Sequence, residues 1–182
     1  MPNALLIEGD TYPIRTDFRA GIEYQAVAAA GKLTAANLYE IWFVDRYPQN
    51  VNEAQEGINR FYRREDATKE DHSKGPIPYD FTADADVIVS GFLQKYGIDL
   101  TDPELEMHWW RFMALLEGLA GSNFAWRVDV RTRDLSGMKS KERARWMKMR
   151  SKYAVEKKSE TVADHMAMLD QIIARHGGET HG

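Results

Sequence analysis

The chain of 182 residues contains no cysteine, and this absence removes several kinds of chemistry. Disulfide scaffolds, thiolate nucleophiles and cysteine-ligated zinc are all excluded. No run of residues approaches the roughly 18 to 20 apolar positions that a membrane-spanning helix needs. The opening residues, MPNALLIEGD, lack the basic and apolar regions of a signal peptide. We therefore expect a soluble protein that stays in a reducing cytoplasm.

The sequence motifs of several common enzymes are also missing. The chain has no GxxxxGK or GxGxxG loop that would bind a nucleotide and no GxSxG motif of a serine hydrolase. Glu104 and His108 stand four residues apart, but no HExxH pattern and no second histidine accompany them. We expect no catalytic residues, no bound metal and no cofactor.

What the sequence does contain is typical of a mainly α protein. Its hydrophobic fraction of 43% and net charge of −4 suit a globular domain. Two short apolar runs around Gly9-Asp10 predict a small N-terminal β-hairpin, and helical spacing of apolar residues predicts several helices after it. We expect one multi-helix domain, with the hairpin and first helices in residues 1–62, an exposed linker in 63–78 and the remaining helices in 79–176.

Capping signals predict where the helices begin. Asp17 is a good N-cap for the first helix, and Asn52 with Gln55 predicts the start of another. Thr101 and Asp102 compete to begin a later helix, and Pro103 favours Asp102. Other predicted helices cover residues 34–47, 81–96, 105–119, 123–133 and 161–175. In 123–133 the alternation of Trp126, Val128 and Val130 would also suit a strand, but we favour a helix because the neighbouring segments are helical. The basic stretch that follows Asp134 has Ser136 or Ser140 as its predicted cap.

Two tryptophans are adjacent in the helix predicted for residues 105–119. Successive residues of a helix point about 100° apart, so the two side chains cannot share one direction. We predict that Trp109 lies in the core and that Trp110 points toward its edge or toward a partner.

Three aspartates near the start of another predicted helix allow two interpretations. Asp80, Asp84 and Asp86 could form a metal or acid–base cluster, which requires carboxylates held close together. They could instead cap the helix and interact with its dipole. We favour capping, because the glycine and spacing of a calcium loop are missing.

A basic stretch over residues 131–158 is the best candidate for a binding surface. It holds eleven Lys or Arg residues against three acidic ones, and interleaved with them are Trp146, Met147, Met149 and Tyr153. It could be a solvated helix face, a surface for a protein partner or a nucleic-acid surface. Flexible methionines favour the protein partner over nucleic acid. The predicted partner-binding residues are Trp110, Arg143, Arg145, Trp146, Met147, Lys148, Met149 and Arg150.

Three motifs together resemble a known family. They are YDF at residues 79–81, a segment from Phe92 that ends in YGIDL at residues 96–100, and HWWRF at residues 108–112. This combination is similar to the signature of a bacteriophage tail-gene family known by the gene-product-fifteen name. The likeness is good from Tyr79 to Tyr153 and looser before it.

The resemblance implies a non-enzymatic tail assembly chaperone. Such a protein would bind the tape-measure protein, or another tail protein, in the host bacterial cytoplasm while the tail tube polymerises. A nucleic-acid-binding or packaging-associated phage protein that uses the basic helix remains an alternative. A structural tail component retained in the virion is another. Self-association stays open, and no membrane partner is expected.

Overall fold

The computed structural model describes residues 1–64 and 77–155. Over these ranges it has seven helices and one two-stranded antiparallel sheet, so the predicted mainly α fold with an N-terminal hairpin is confirmed. Most of the predicted linker and the whole predicted helix at 161–175 lie outside the described residues. The elements are β1 (Ala4–Ile7), β2 (Asp10–Pro13), α1 (Phe18–Ala29), α2 (Ala35–Trp42), α3 (Val51–Tyr62), α4 (Ala85–Tyr96), α5 (Trp109–Glu117), α6 (Asn123–Thr132) and α7 (Ser140–Lys152).

The hairpin turns at Glu8 and Gly9, which both have positive φ, 53° and 86°. Positive φ at both central residues is the mark of a two-residue type I′ turn, which matches the twist of the two strands. Leu5 pairs with Tyr12 in the ladder, and the side chains of Leu5 and Ile7 face Gly57 of α3. The hairpin is stabilised by packing on a helix, as a two-stranded ribbon requires.

One hydrophobic cluster joins the hairpin to helices α1 through α6. Its centre is aromatic: the Phe112 ring stacks on Phe18 at 5.1 Å and on Phe92 at 5.2 Å between centroids. Trp109 is fully buried and stacks on Tyr62 at 4.9 Å, so its predicted place in the core is confirmed. Stacked aromatic pairs contribute about 0.5 to 1.5 kcal/mol each beyond the area that they bury. Helix α7 adds no buried residue to this core.

The start of α5 differs from the prediction. It begins at Trp109, not after Asp102, because the preceding residues pair with the segment before α1. The N–H of Phe18 donates to the carbonyl of Met107 at 2.9 Å, and the N–H of Trp109 donates to the carbonyl of Thr16 at 2.6 Å. This non-local pairing holds the chain extended up to His108 and overrides the capping signal.

Other predicted helix boundaries also move. Helix α2 ends at Trp42, not Tyr47, because the N–H of Arg15 donates to the Trp42 carbonyl at 2.7 Å and Phe43 bridges to Ile14. Helix α3 is capped by Asn50 and not Asn52, and α7 follows Lys139 without a side-chain cap. The first helix begins after Asp17, and a helix covers Asn123–Thr132, both as predicted.

Candidate partner-binding surface

Helix α7 packs against α6 through one narrow edge. Trp146, Met149, Arg150 and Tyr153 are half-buried, and their spacing of three and four residues places them on one side of the helix. The Arg150 guanidinium donates to the carbonyl of Val130 at 3.3 Å and also to that of Arg133. Backbone carbonyls at the end of α6 therefore hold this edge in place.

Four basic side chains form a separate line along α7, which we call the cationic stripe: Lys141, Arg145, Lys148 and Lys152. Their spacings of four, three and four residues put them on one face, about 16 Å long. All four are exposed. Across residues 1–64 and 77–155, the first three make no ion pair and no side-chain hydrogen bond. Within the part of the chain that the structure describes, the stripe therefore presents to solvent positive charge that no ion pair neutralises.

This charge pattern works against the stability of the helix itself. Like charges at i,i+4 spacing, such as Lys141 with Arg145 and Lys148 with Lys152, repel by a few tenths of a kcal/mol per pair. Glu142 is the one acidic residue between Lys139 and Lys152. Because little within the helix offsets the repulsion, the arrangement suits a surface whose charge is neutralised by a binding partner.

A buried ion pair fixes α6 and the end of α7 against α4. Asp84 is fully buried, and the guanidinium of Arg131 donates to its two carboxylate oxygens at 2.5 and 2.9 Å. Arg131 also donates to the carbonyl of Tyr153 at 2.6 Å and to that of Pro78 at 3.2 Å. One guanidinium thus connects three parts of the chain, and the position of α7 depends on it.

The ionisation of this pair follows from competing effects. Burial alone would raise the pKa of Asp84, but hydrogen bonds from Arg131 and from the N–H of Asp80 outweigh it and leave the pKa below its usual value. Asp86, beside it, receives two hydrogen bonds from Arg127 at 2.8 and 2.9 Å, which lower its pKa as well. Both carboxyl groups are therefore ionised at neutral pH.

These contacts correct two interpretations of the sequence. Asp84 makes no capping hydrogen bond to α4, and Arg131 is buried, so it does not belong to the exposed basic surface. The sequence contained a signal that Asp84 and Arg131 are both buried. Asp84 falls on the apolar stripe of Phe81 and Ile88, and Arg131 lies seven residues after Phe124 on the apolar side of α6. Opposite charges on two buried stripes point to a paired contact.

Trp110 lies far along the chain from α7 and packs on α3. Its ring stacks on Phe61 at 5.8 Å, and its indole N–H donates to the Phe61 carbonyl at 2.8 Å. The indole N–H of Trp109 donates to the next carbonyl, that of Tyr62, at 2.9 Å. The indole N–H groups of the paired tryptophans therefore bond to two successive carbonyls at the C-terminal end of α3. The carbonyl of Phe61 also accepts the N–H of Arg64 at 3.0 Å. Trp110 is half-buried, with part of its ring open to solvent.

Replacing Trp110 with Phe tests this structural role. Phenylalanine keeps an aromatic ring against Phe61 but has no indole N–H, so the bond to the α3 carbonyl is lost. We expect the free energy of unfolding to fall by about 1 kcal/mol. Urea unfolding followed by circular dichroism measures it. An unchanged midpoint would show that the Trp110 hydrogen bond contributes nothing to stability.

The predicted partner-binding residues thus fall into separate places. Arg145 and Lys148 belong to the cationic stripe, and Trp146, Met149 and Arg150 face α6. Met147 is 57% exposed and lies, with Arg143, on the opposite side of the packed edge from the stripe. Trp126 of α6, which sequence reasoning did not single out, is 42% exposed and its ring meets that of Tyr153 edge-on.

Two further findings concern the parts of the chain that the structure describes. None of the helices there is long and apolar enough to cross a membrane. No group of three or more His, Asp or Glu side chains in those parts is arranged to hold a metal ion.

The fold and this surface define a small, mainly α protein in which an aromatic core carries an exposed basic helix. The family model described as Bacteriophage Gp15 protein matches residues 1–155, and the chain belongs to this family. The resemblance seen in the sequence is confirmed, and it extends through the N-terminal half, where the motifs are looser. Neither the curated proteins nor the solved structures include a match.

Proposed function

We propose that this phage protein is a tail assembly chaperone that binds the tape-measure protein, without catalysis, in the host bacterial cytoplasm. Membership of the Bacteriophage Gp15 protein family supports a role in phage assembly. The observation that carries the proposal is the cationic stripe: Lys141, Arg145 and Lys148 are exposed and without ionic partners in the described ranges. A helix that contributes nothing to the core is available for binding.

The surface around α7 has the properties that a chaperone of a long, aggregation-prone protein needs. Exposed apolar side chains, here Met147 and Trp126, can cover apolar segments of the client protein. Positive charge beside them attracts acidic segments and keeps the chaperone itself soluble. Binding that favours the unassembled client would hold it back from aggregation by mass action.

Neutralising the stripe tests the proposal. We expect the triple variant Lys141→Gln, Arg145→Gln and Lys148→Gln to bind the tape-measure protein about tenfold more weakly, because each exposed charge contributes up to about 0.5 kcal/mol. The measurement is a pull-down of co-expressed tape-measure protein by the tagged full chain, followed by titration of the purified pair.

A matched triple variant provides the control. Arg15, Arg63 and Arg111 are exposed basic residues outside α7, and their replacement by Gln changes the net charge equally. Binding should survive in this control. Equal losses in both triple variants would mean that only net charge matters, and undiminished binding of the α7 variant would contradict the proposed role of the stripe.

The cationic stripe also favours a second candidate function, nucleic-acid binding during packaging. Charges repeated along one helix face can follow a phosphate backbone, and such binding weakens steeply with salt because counterions are released. An electrophoretic mobility assay at low salt with double-stranded DNA separates the two functions. A retarded band that disappears as salt rises, together with failure to retain the tape-measure protein, would replace the chaperone proposal.

A further inference from the structure

An apolar groove lies on the side of α7 away from the cationic stripe. It runs between the helix and the turn that connects α6 to α7, with a volume of about 540 Å³. Its apolar part is formed by Leu135, Met147 and Ala154, and charged groups stand around it: Asp134, Arg143 and Arg150.

The turn on one side of the groove is fixed by local bonds. The carboxylate of Asp134 accepts the backbone N–H of Ser136 at 2.8 Å and also the Ser136 hydroxyl. Gly137 follows with φ of 78°, a conformation that side chains other than glycine rarely adopt. Leu135 is 8% exposed, so its side chain is anchored. The groove is therefore formed before anything binds to it.

The two arginines of the groove are in different situations. Arg150 is held by carbonyls at the end of α6, as described above, and stands near Asp134. Arg143 is exposed and, in the ranges that the structure describes, its side chain has no ionic or hydrogen-bonding partner. Met147, one turn further along α7, is 57% exposed although it is apolar. An unpaired cation thus stands next to an uncovered apolar side chain.

We propose that this groove binds a short acidic segment of the client protein, with an apolar side chain seated on Leu135 and Met147 and a carboxylate paired with Arg143. The inference rests on the proposed chaperone function and specifies which chemistry the client presents. Arginine is suited to this role because its planar guanidinium binds a carboxylate through two parallel hydrogen bonds. A flexible methionine can adapt to different apolar side chains, which suits a long client with repeated contacts.

The lining of the groove argues against a nucleic acid as its occupant. A continuous phosphate backbone would meet the negative charge of Asp134 at the rim. The lining residues also include no aromatic ring on which a base could stack, although stacking supplies much of the affinity for single strands. A peptide that alternates apolar and acidic side chains can cover the apolar part of the groove and pair a carboxylate with Arg143.

The test uses overlapping 15-residue peptides that together cover the client's tape-measure sequence, immobilised on a membrane. The purified full chain is applied, and affinities for the peptides that bind are then measured by fluorescence anisotropy. We expect the bound peptides to combine acidic and apolar residues. Met147→Glu and Arg143→Glu should each weaken them about tenfold or more. Both side chains are exposed, so neither substitution should disturb folding.

A substitution outside α7 provides the matched control. Arg111→Glu changes the net charge by the same amount as Arg143→Glu, is exposed, and lies outside both the groove and the cationic stripe. An equal loss with both variants would overturn the inference, as would selection of basic peptides or displacement of the peptides by DNA. Sedimentation that shows self-association abolished by Met147→Glu would identify a second copy as the occupant and also overturn it.

The peptide experiment can fail separately from the proposed function. If no peptide binds while the intact tape-measure protein is still retained in the pull-down, the groove inference is wrong and the chaperone proposal stands. If the intact protein is not retained either, the proposed function itself fails.

Discussion

Replacing Asp84 with Asn is expected to lower the free energy of unfolding by about 3 to 5 kcal/mol, the cost of breaking a buried ion pair from one side. Asparagine keeps the shape of the side chain but removes the charge that Arg131 faces at 2.5 and 2.9 Å. The guanidinium would then be buried without a carboxylate, because Arg131 is only 5% exposed. Urea unfolding monitored by circular dichroism measures the loss.

A surface ion pair at the C-terminal end of α6 provides the control. Arg133 donates to Asp129 at 2.5 Å, but both side chains are about 40% exposed, 43% and 38%. Exposed pairs of this kind contribute little, so Asp129→Asn should barely change the unfolding midpoint. A loss as large as that of Asp84→Asn would show that removal of any aspartate from this region is responsible, and not the burial of the Asp84–Arg131 pair.

The double substitution Asp84→Leu with Arg131→Met tests the same pair by removing both of its charges. Replacing both members of a buried ion pair by apolar residues is often neutral or stabilising, since both desolvation costs disappear together. We expect the double variant to recover most of the stability lost in either single variant. It should not restore the position of α7, because Arg131 also holds the carbonyl of Tyr153.

The Asp84–Arg131 pair also makes the free energy of unfolding depend on pH, in a direction that follows from the pKa of Asp84. The pKa of Asp84 is lower in the folded protein than its ordinary value of 3.8. Its contribution to stability is therefore fully present above that ordinary value and is lost as the pH falls through the lower folded pKa. Asp86, whose pKa is also lowered, acts in the same direction. In Asp84→Asn the decrease of stability with acid should be smaller.

Features of the fold that depend on local interactions could be predicted from the sequence. Two short apolar runs on either side of a glycine predict the hairpin, although its turn lies at Glu8-Gly9 and not at Gly9-Asp10. Asp17 caps α1 because its carboxylate reaches the N–H of Arg19 two residues away. The start of α5 could not be predicted in this way. It depends on the pairing of Asp17 with His108, ninety-one positions later, and nothing in the nearby sequence reports that contact.

The candidate site was predictable in composition but not in geometry. The sequence predicts a basic helix within residues 131–158, yet it shows neither the bounds of that helix, Ser140–Lys152, nor which of its sides packs on α6. That choice decides that Trp146 and Met149 are half-buried while Met147 is exposed. Arg143 lies two turns, about 10 Å, before Arg150 on nearly the same side of α7, and within the described ranges the carbonyls at the end of α6 bond Arg150 and not Arg143.

The second large effect is expected at Gly21, where α1 and α5 approach closely. A Cβ atom added at this glycine would lie 2.2 Å from Cε3 of Trp109, much closer than two carbon atoms can come. Trp109 cannot move away easily, since it stacks on Tyr62 at 4.9 Å and donates its indole N–H to the Tyr62 carbonyl. We expect Gly21→Ala to lower the free energy of unfolding by about 3 kcal/mol, the upper end for overpacking a core.

A second helical glycine makes the comparison decisive. At Gly57 of α3 an added Cβ would lie 3.4 Å from Cδ1 of Leu5, an ordinary contact, so the substitution fits. Alanine is favoured over glycine inside a helix by about 1 kcal/mol, and Gly57→Ala should therefore be neutral or stabilising. The same chemical change then has opposite effects at two helical sites. If thermal unfolding shows equal shifts for both variants, helix propensity and not the Trp109 contact explains why Gly21 is a glycine.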